Sequence, residues 1–308
     1  MRRRRMSKRQ SMCSFLAAVA LLAVGISYGL VHHGQAGIQV AAGPDTPEAM
    51  AAGETSPEKY VLLKSDFSNL PGMAEIDKPV FDRYCLWQRE QLNLPMALPQ
   101  VEPHVGQRIA YLTFDDGPDG KNTPAVLDIL KAEGIKATFY VVGTMCEKNP
   151  EVLKRIVAEG HAVGNHSMDH DYGRLYMSKD SFIAELREAD NVIYSIIGMR
   201  PVICRAPGGT AGVFTQEYDR ALAESGYVEH DWNVSSLDAA TQRQSASQLI
   251  ANVDSQTNRE MKDNMALVLM HSCGGKEETV KALPEIIRIL RDKGYSFGVV
   301  TPYTPQPW

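Results

Sequence analysis

At 308 residues the chain has room for one large domain or two ordinary ones, and 44% hydrophobic with 22% charged residues is the balance of a globular protein. The net charge of -5 hides a split: Arg2, Arg3, Arg4, Arg5, Lys8 and Arg9 crowd the first ten residues, no acid occurs before Asp45, and the remainder carries 26 basic against 37 acidic side chains. Such a body offers no basic face, so nucleic acid is excluded as an expected partner.

The first 34 residues read as an export segment. The basic start is followed by "CSFLAAVALLAVGISYGLV", 19 residues from Cys13 to Val31 without a charge. That is long for a signal-peptide core and close to the length that spans a bilayer. The basic flank stays in the cytoplasm, which places the rest outside. An uncleaved anchor is favoured over a cleaved signal, although "HGQAG" offers a weak cleavage site after Ala36. Export leaves Cys85, Cys146, Cys204 and Cys273 in an oxidising space that permits disulfides, with three pairings open.

Residues 35–59, with "AAGPDTPEAMAAGETSPEK", read as a flexible stalk. Residues 60–105 hold apolar groups but no repeating unit, and read as a small extension that packs on the main domain. From about 106 a rhythm begins. The β-rich runs are "IAYLTF", "ATFYVVG", "HAVGN", "PVICR", "YVEHDW", "MALVLM" and "SFGVV". Between them lie stretches of helical spacing, at Thr123–Glu133, Ser178–Ile197 and Glu277–Lys293. Gly134, Gly160, Gly198, Gly226 and Gly294 fall where a left-handed helix C-terminus wants them. Strand–helix alternation repeated about seven times predicts an α/β fold, a closed or nearly closed distorted (β/α) barrel over 106–302, with 303–308 as a C-terminal tail.

The unusual polar residues gather at one end of these strands. Asp115 and Asp116 follow the first strand, His166 and His170 the third, Arg205 the fourth, Asp231 and Asp238 the fifth, and His271 the sixth. Catalytic groups of α/β barrels collect past the carboxyl ends of strands, whereas structural polar residues would scatter to both ends. The i, i+4 spacing of His166 and His170 predicts a helical turn with both imidazoles on one side. One carboxylate added to them makes three ligands with a position left for water, the pattern of a catalytic metal site. Two surface histidines would explain the spacing alone. Asp115 and Asp116 alone would pass for a solvated turn, and His271 for a core histidine. His161 and His230 read as structural, the latter facing outward or lining the rim.

In order along the chain, "TFDDGP", "HSMDH", "RAPG", "DWNVSSLDA" and "LVLMH" resemble the five motifs of the polysaccharide deacetylases, carbohydrate esterase family 4, also called the NodB-homology domain. The resemblance covers roughly residues 106–302. It implies a distorted (β/α) barrel that removes acetyl groups from polysaccharides with a divalent metal. By this resemblance Asp116, His166 and His170 are the metal ligands and Asp115 is the catalytic base. His271 is the acid that protonates the leaving amine, a role that calls for an acidic neighbour. Arg205 orients the base, Asp238 holds that arginine, the backbone N–H near Gly208 stabilises the oxyanion, and Leu269 contacts the acetyl methyl. Trp232 reads equally as a sugar platform or as barrel packing.

The pattern departs from the family in three places. Gly208 and Gly209 follow Pro207 where many members carry an aromatic residue, Ala239 stands where Trp is common, and Ser272 where Asp is common. The expected activity is metal-dependent removal of N-acetyl groups from N-acetylglucosamine units of an extracellular glycan. Peptidoglycan comes first, then chitin-type oligomers or an exopolysaccharide. An O-acetyl xylan esterase, a glycan-binding module with a degenerate site and a metal-stabilised envelope protein are the rivals. The expected metal is Zn²⁺, and the same ligands accept Co²⁺, Ni²⁺ or Mn²⁺.

Overall fold

The structure, a computed structural model, describes residues 59–70, 77–103, 106–240, 242–259 and 261–307. The expected anchor at 1–34 and all of the expected stalk except Lys59 lie outside the described residues. Among the described residues no helix is long and apolar enough to cross a membrane.

The extension supplies β1 (Val61–Leu63), β2 (Val80–Asp82) and α1 (Leu86–Gln91). Alternation then runs β3 (Ile109–Gly117), α2 (Asn122–Glu133), β4 (Thr138–Val141), α3 (Gly143–Lys148), α4 (Pro150–Ala158), β5 (Ala162–Asn165), α5 (Tyr172–Leu175), α6 (Lys179–Ile197), β6 (Arg200–Pro201) and β7 (Ile203–Cys204). It continues with α7 (Gln216–Glu224), β8 (Val228–Glu229), β9 (Val234–Ser235), α8 (Ala246–Gln256), β10 (Met265–His271), α9 (Glu277–Asp292) and β11 (Ser296–Gly298).

The main sheet is parallel, in the order β8-β7-β5-β4-β3-β10-β9. β10 covers one edge of β3 from Ile109 to Asp115, while the other edge is shared by β11 along Ile109–Tyr111 and β4 from Thr113 onward. The result is a curled half-barrel of seven strands rather than a closed barrel. Its end strands, β8 and β9, are two residues each and do not pair with one another among the described residues. The run "YVEHDW" yields only Val228–Glu229, because the backbone then turns into the loop that serves the site.

Alternation along the strands sorts the two faces. Ala110, Leu112, Phe114, Phe139, Val141, Ala266, Val268 and Met270 join the core under the helices. Ile109, Tyr111, Tyr140, Met265 and Leu267 fill the concave side with Ile203 and Val300. The concave face thus climbs from apolar residues at the amino ends of β3 and β10 to Thr113, Asp115 and His271 at their carboxyl ends. Helices α2 and α6 stop at Gly134 and Gly198, whose φ of 67° and 68° is the left-handed geometry expected of them.

The extension joins the body through a second sheet, β1-β2-β6, and through a buried ion network. Asp82 receives Arg89 Nε at 2.5 Å and Nη2 at 2.8 Å, and lies 3.3 Å from Arg200 Nη2. Arg200 also lies 3.5 Å from Asp190. The tail past 302 is packed rather than free: Thr301 to Pro305 are buried, and His230 Nε2 lies 3.0 Å from the Thr304 carbonyl. His230 is therefore fully buried, not outward-facing, and burial pushes its pKa down to about 4. The four described cysteines are all free, so none of the three disulfide pairings occurs.

Candidate active site

Adjacent residues on a regular strand point to opposite faces, so Asp115 and Asp116 could not share a site on an unbroken β3. A register shift between Asp115 and Gly117 resolves this. Asp116 takes a φ of 67° within the irregularity, and its carboxylate turns back toward the concave side. Asp116 Oδ1 then lies 3.5 Å from His166 Nε2 and 3.4 Å from His170 Nε2, while Asp115 Oδ2 lies 3.8 Å from His166 Nε2.

His166 and His170 do not lie on a helical turn as their spacing predicts. The segment is a loop in which Ser167 and His170 both have positive φ, 71° and 62°. Asn165 Oδ1 accepts the Ser167 N–H at 2.9 Å and Ser167 Oγ accepts the His170 N–H at 3.0 Å, which pins the loop. The two rings end 5.1 Å apart by centroids.

The donor set suits a cation. One ligand atom from each of Asp116, His166 and His170 lies within 4.8 Å of the others. Asp116 Oδ1 is buried with no hydrogen-bond partner, an arrangement that is costly unless a charge completes it. His166 Nδ1 sits 2.9 Å from the Arg205 carbonyl oxygen; as a donor there it leaves the Nε2 lone pair facing the site. Burial works against the charge on Asp116, but the His166 contact and the three histidines close by outweigh it and hold the carboxyl low. Burial and then His166 push the pKa of His170 down, toward the neutral ring a metal needs.

Arg205, fully buried, donates from Nη1 to Asp115 Oδ1 at 2.9 Å and to Thr113 Oγ1 at 2.6 Å. Its Nε reaches the His230 carbonyl at 2.8 Å and its Nη2 the Asp231 carbonyl at 3.1 Å. Tyr140 lies beneath the guanidinium, 4.2 Å from its ring centroid, in a place that Gly164 leaves open: a Cβ there would sit 2.3 Å from the tyrosine ring.

Asp238 does not hold Arg205, contrary to expectation. Backbone carbonyls and Thr113 already satisfy that guanidinium. Asp238 Oδ1 instead lies 2.8 Å from His271 Nδ1, and Oδ2 accepts the His271 backbone N–H at 2.8 Å and the Thr279 hydroxyl at 2.7 Å. It is thus the acidic neighbour that His271 calls for. Burial opposes a charge on His271, but the Asp238 hydrogen bond and charge outweigh it and raise its pKa. His271 Nε2 faces the triad, 3.9 Å from Asp116 Oδ2.

Leu269 lies two residues before His271 on the same face of β10, nearly buried. Gly208 is exposed at a turn with φ 78°. Trp232 packs on the concave apolar cluster, with Arg205 5.7 Å from its ring, which favours barrel packing over a free sugar platform. Asp231 accepts Thr210 N–H and hydroxyl bonds and braces the Gly208–Gly209 turn. His161 is structural: its Nδ1 accepts the Ala137 N–H at 3.1 Å.

Comparisons with known proteins bear on the family and the fold. The family model for polysaccharide deacetylase matches residues 103–230. A peptidoglycan-N-acetylglucosamine deacetylase of Bacillus cereus is 34% identical over 191 residues, 62% of this chain and 68% of that one. The chain belongs to the polysaccharide deacetylase family. A chitooligosaccharide deacetylase of a Bradyrhizobium species is also 34% identical, over 62% of this chain and 88% of its own length. The crystal structure of the catalytic domain of a Eubacterium rectale peptidoglycan N-acetylglucosamine deacetylase superposes with a TM-score of 0.60 at 32% identity, covering 67% of this chain and 95% of that one.

This polysaccharide deacetylase is a hydrolase of carbohydrate esterase family 4, and several of its site residues are not legible in the sequence. Thr113 and Tyr140 lie within ordinary strand runs. Cys273, whose thiol is 3.8 Å from Asp116 Oδ2, follows His271 without any spacing signal; burial and then the Asp116 charge push its pKa up to about 12. Tyr172, at the start of α5, meets the His170 ring edge-on at 5.2 Å.

Proposed function

We propose that this chain is a divalent-metal-dependent deacetylase that removes N-acetyl groups from N-acetylglucosamine units of peptidoglycan, on the outer side of the membrane. One observation carries the reading: two independently braced proton carriers, Arg205–Asp115 and Asp238–His271, face the same Asp116–His166–His170 set. The substrate preference is supported by the relatives named for peptidoglycan, and the location by the basic, apolar start of the chain.

Asp116, His166 and His170 would hold the cation, Zn²⁺ first by ligand chemistry, with Co²⁺, Ni²⁺ or Mn²⁺ accepted by the same set. When bound, such a cation supplies Lewis acidity, easing the deprotonation of water and polarising the acetyl carbonyl. Asp115, held by Arg205 through Oδ1, keeps Oδ2 turned to the site and takes the proton of the attacking water. The new carbon–oxygen bond puts negative charge on the former carbonyl oxygen, for which the Gly208 N–H, by the family resemblance, is the donor. His271, whose protonated form Asp238 favours, gives its proton to the amide nitrogen as the carbon–nitrogen bond breaks. Acetate and a free amine leave. Leu269 offers the acetyl methyl an apolar contact.

The test is acetate release by the purified protein from peptidoglycan and from N-acetylglucosamine oligomers, before chelation, after it and after Zn²⁺ is restored. Reversible loss of turnover with an unchanged circular dichroism spectrum is expected. Glycan binding without turnover in restored metal supports a binding module instead, and collapse of the fold on chelation a structural metal. Mass spectrometry of the products ranks peptidoglycan against chitin-type oligomers, which the Bradyrhizobium relative makes the second reading. Protease accessibility of the protein on intact cells tests its location.

A further inference from the structure

Residue 208 carries no side chain, yet the space beside it is filled. A Cβ placed on Gly208 would lie 2.9 Å from Tyr172 Cε1 and 2.9 Å from the Tyr172 hydroxyl oxygen. The tyrosine comes from another loop, at the first residue of α5, where Asp171 caps the turn by accepting the Gly173 N–H at 2.8 Å. His170 meets its ring edge-on, with centroids 5.2 Å apart and planes at 77°. Tyr176 stands 6.0 Å away on another side, and its hydroxyl donates to the Pro207 carbonyl at 2.5 Å, bracing the same turn. Tyr172 is thus fixed against His170, Tyr176 and the Gly208 turn, and it still leaves 51% of its surface open to solvent.

The ring is held on its edges and left half-bare beside a polar cleft, so it keeps apolar surface that a bound molecule can cover. Its neighbours are a candidate metal ligand on one side and the candidate oxyanion donor on the other, so anything bound between them meets the ring. Sugar rings present a face of C–H groups that covers such a surface while their hydroxyls stay wet. We propose that Tyr172 is a substrate-binding residue, the wall against which the acetylated sugar lies, and that Gly208 is glycine to make room for it. This deepens the deacetylase reading and rests on it.

The experiment compares the purified wild-type protein with Tyr172→Ala and Tyr172→Phe in Zn²⁺. The substrates are an N-acetylglucosamine oligomer and p-nitrophenyl acetate, which has no sugar to stack. Metal content is measured alongside. Tyr172→Ala is expected to raise KM for the oligomer roughly three- to tenfold, the scale of one aromatic contact, with kcat changed less and ester hydrolysis and metal content kept. Tyr172→Phe retains the ring and is expected to restore KM to within about twofold of wild type. An unmoved KM in Tyr172→Ala, a Phe variant as weak as the Ala variant, or parallel loss of ester hydrolysis or metal overturns the proposal. A wild-type protein that turns over no oligomer refutes the substrate reading and the inference with it. Wild-type turnover with an unmoved Tyr172→Ala refutes the inference alone.

Discussion

Replacing Asp238 by Asn removes one charge and almost no volume. Three donors converge on that carboxylate: His271 Nδ1 at 2.8 Å, the His271 backbone N–H at 2.8 Å and the Thr279 hydroxyl at 2.7 Å. An Asn keeps one acceptor oxygen and sets an NH₂ against at least one of them. The pKa of His271 is raised because Asp238 outweighs a burial that would otherwise lower it. A raised pKa means that the protonated ring persists to higher pH than that of a free histidine and is lost as pH climbs through the raised value. Taking Asp238 away therefore moves the loss to lower pH. A hydrogen bond to a charged group contributes about 1.5–3 kcal/mol, so roughly 10- to 100-fold less imidazolium remains above the alkaline limb. The side chains of the pair are 12% and 4% exposed, so solvent screens little of this. The assay is the pH profile of kcat/KM from pH 5 to 10 in saturating Zn²⁺. Asp238→Asn should shift the alkaline limb toward acid and keep most activity at its acidic end. A uniform drop at every pH would refute the reasoning, since it would mean that Asp238 acts through Arg205 and Asp115.

Asp115→Asn should lower kcat by about 10²–10⁴-fold and keep the metal, whereas His166→Ala should lose the metal; elemental analysis of both purified variants checks this, and equal metal loss would undo the division of roles. Burial, helped by Lys136 and Arg155, pushes the His161 pKa down to about 3, and Glu159, 3.9 Å from its Nε2, is itself held by Arg155. The stabilising effect of this neutral ring is full above the unfolded-state pKa of about 6.5 and is lost as pH falls toward the folded one, at roughly 1.4 kcal/mol per pH unit. His161→Gln should flatten the pH dependence of urea stability between pH 6.5 and 4 by about that slope. Asp82→Ala takes the carboxylate partner from fully buried Arg89 and leaves buried Arg200 with Asp190 alone, and should cost about 3–5 kcal/mol in the same urea assay, with the metal site intact.

The sequence carried the membership of the site better than its geometry, and the reason is physical. Residue type and position after a strand can be read in one dimension, because a parallel sheet places all strand ends of one polarity on the same side. Asp115, Asp116, His166, His170, Arg205 and His271 follow strand ends in the sequence, and the fold brings their side chains close together. Which group bonds which depends on register. Asp238 pairs with His271 because Ser235 lies opposite Leu269 in the β9–β10 ladder, which brings the loop after β9 up beside the end of β10. No residue-by-residue signal encodes that alignment. The open half-barrel was hidden for a similar reason: the apolar run before β9 looks like a full strand, and only the turn taken after Glu229 shows that two residues of it pair.

The adjacent aspartates Asp115 and Asp116 show the same limit most sharply. Strand alternation forbids two adjacent side chains from serving one site, so "DDG" on β3 is readable only if the ladder breaks there. The break is a left-handed φ at Asp116, a conformation that L residues generally avoid and that Asp tolerates better than most. His170 and Ser167 carry the same conformation in the facing loop, and three such residues around one cluster add up to a cost of several kcal/mol that local contacts must offset. Ser167 and Asn165 supply hydrogen bonds for the loop. Around Asp116 Oδ1 the described side chains supply none. A cation shared by Asp116, His166 and His170 would supply what is missing there. Metal binding should therefore raise the unfolding midpoint as well as enable turnover, and by more in the wild type than in Asp116→Asn.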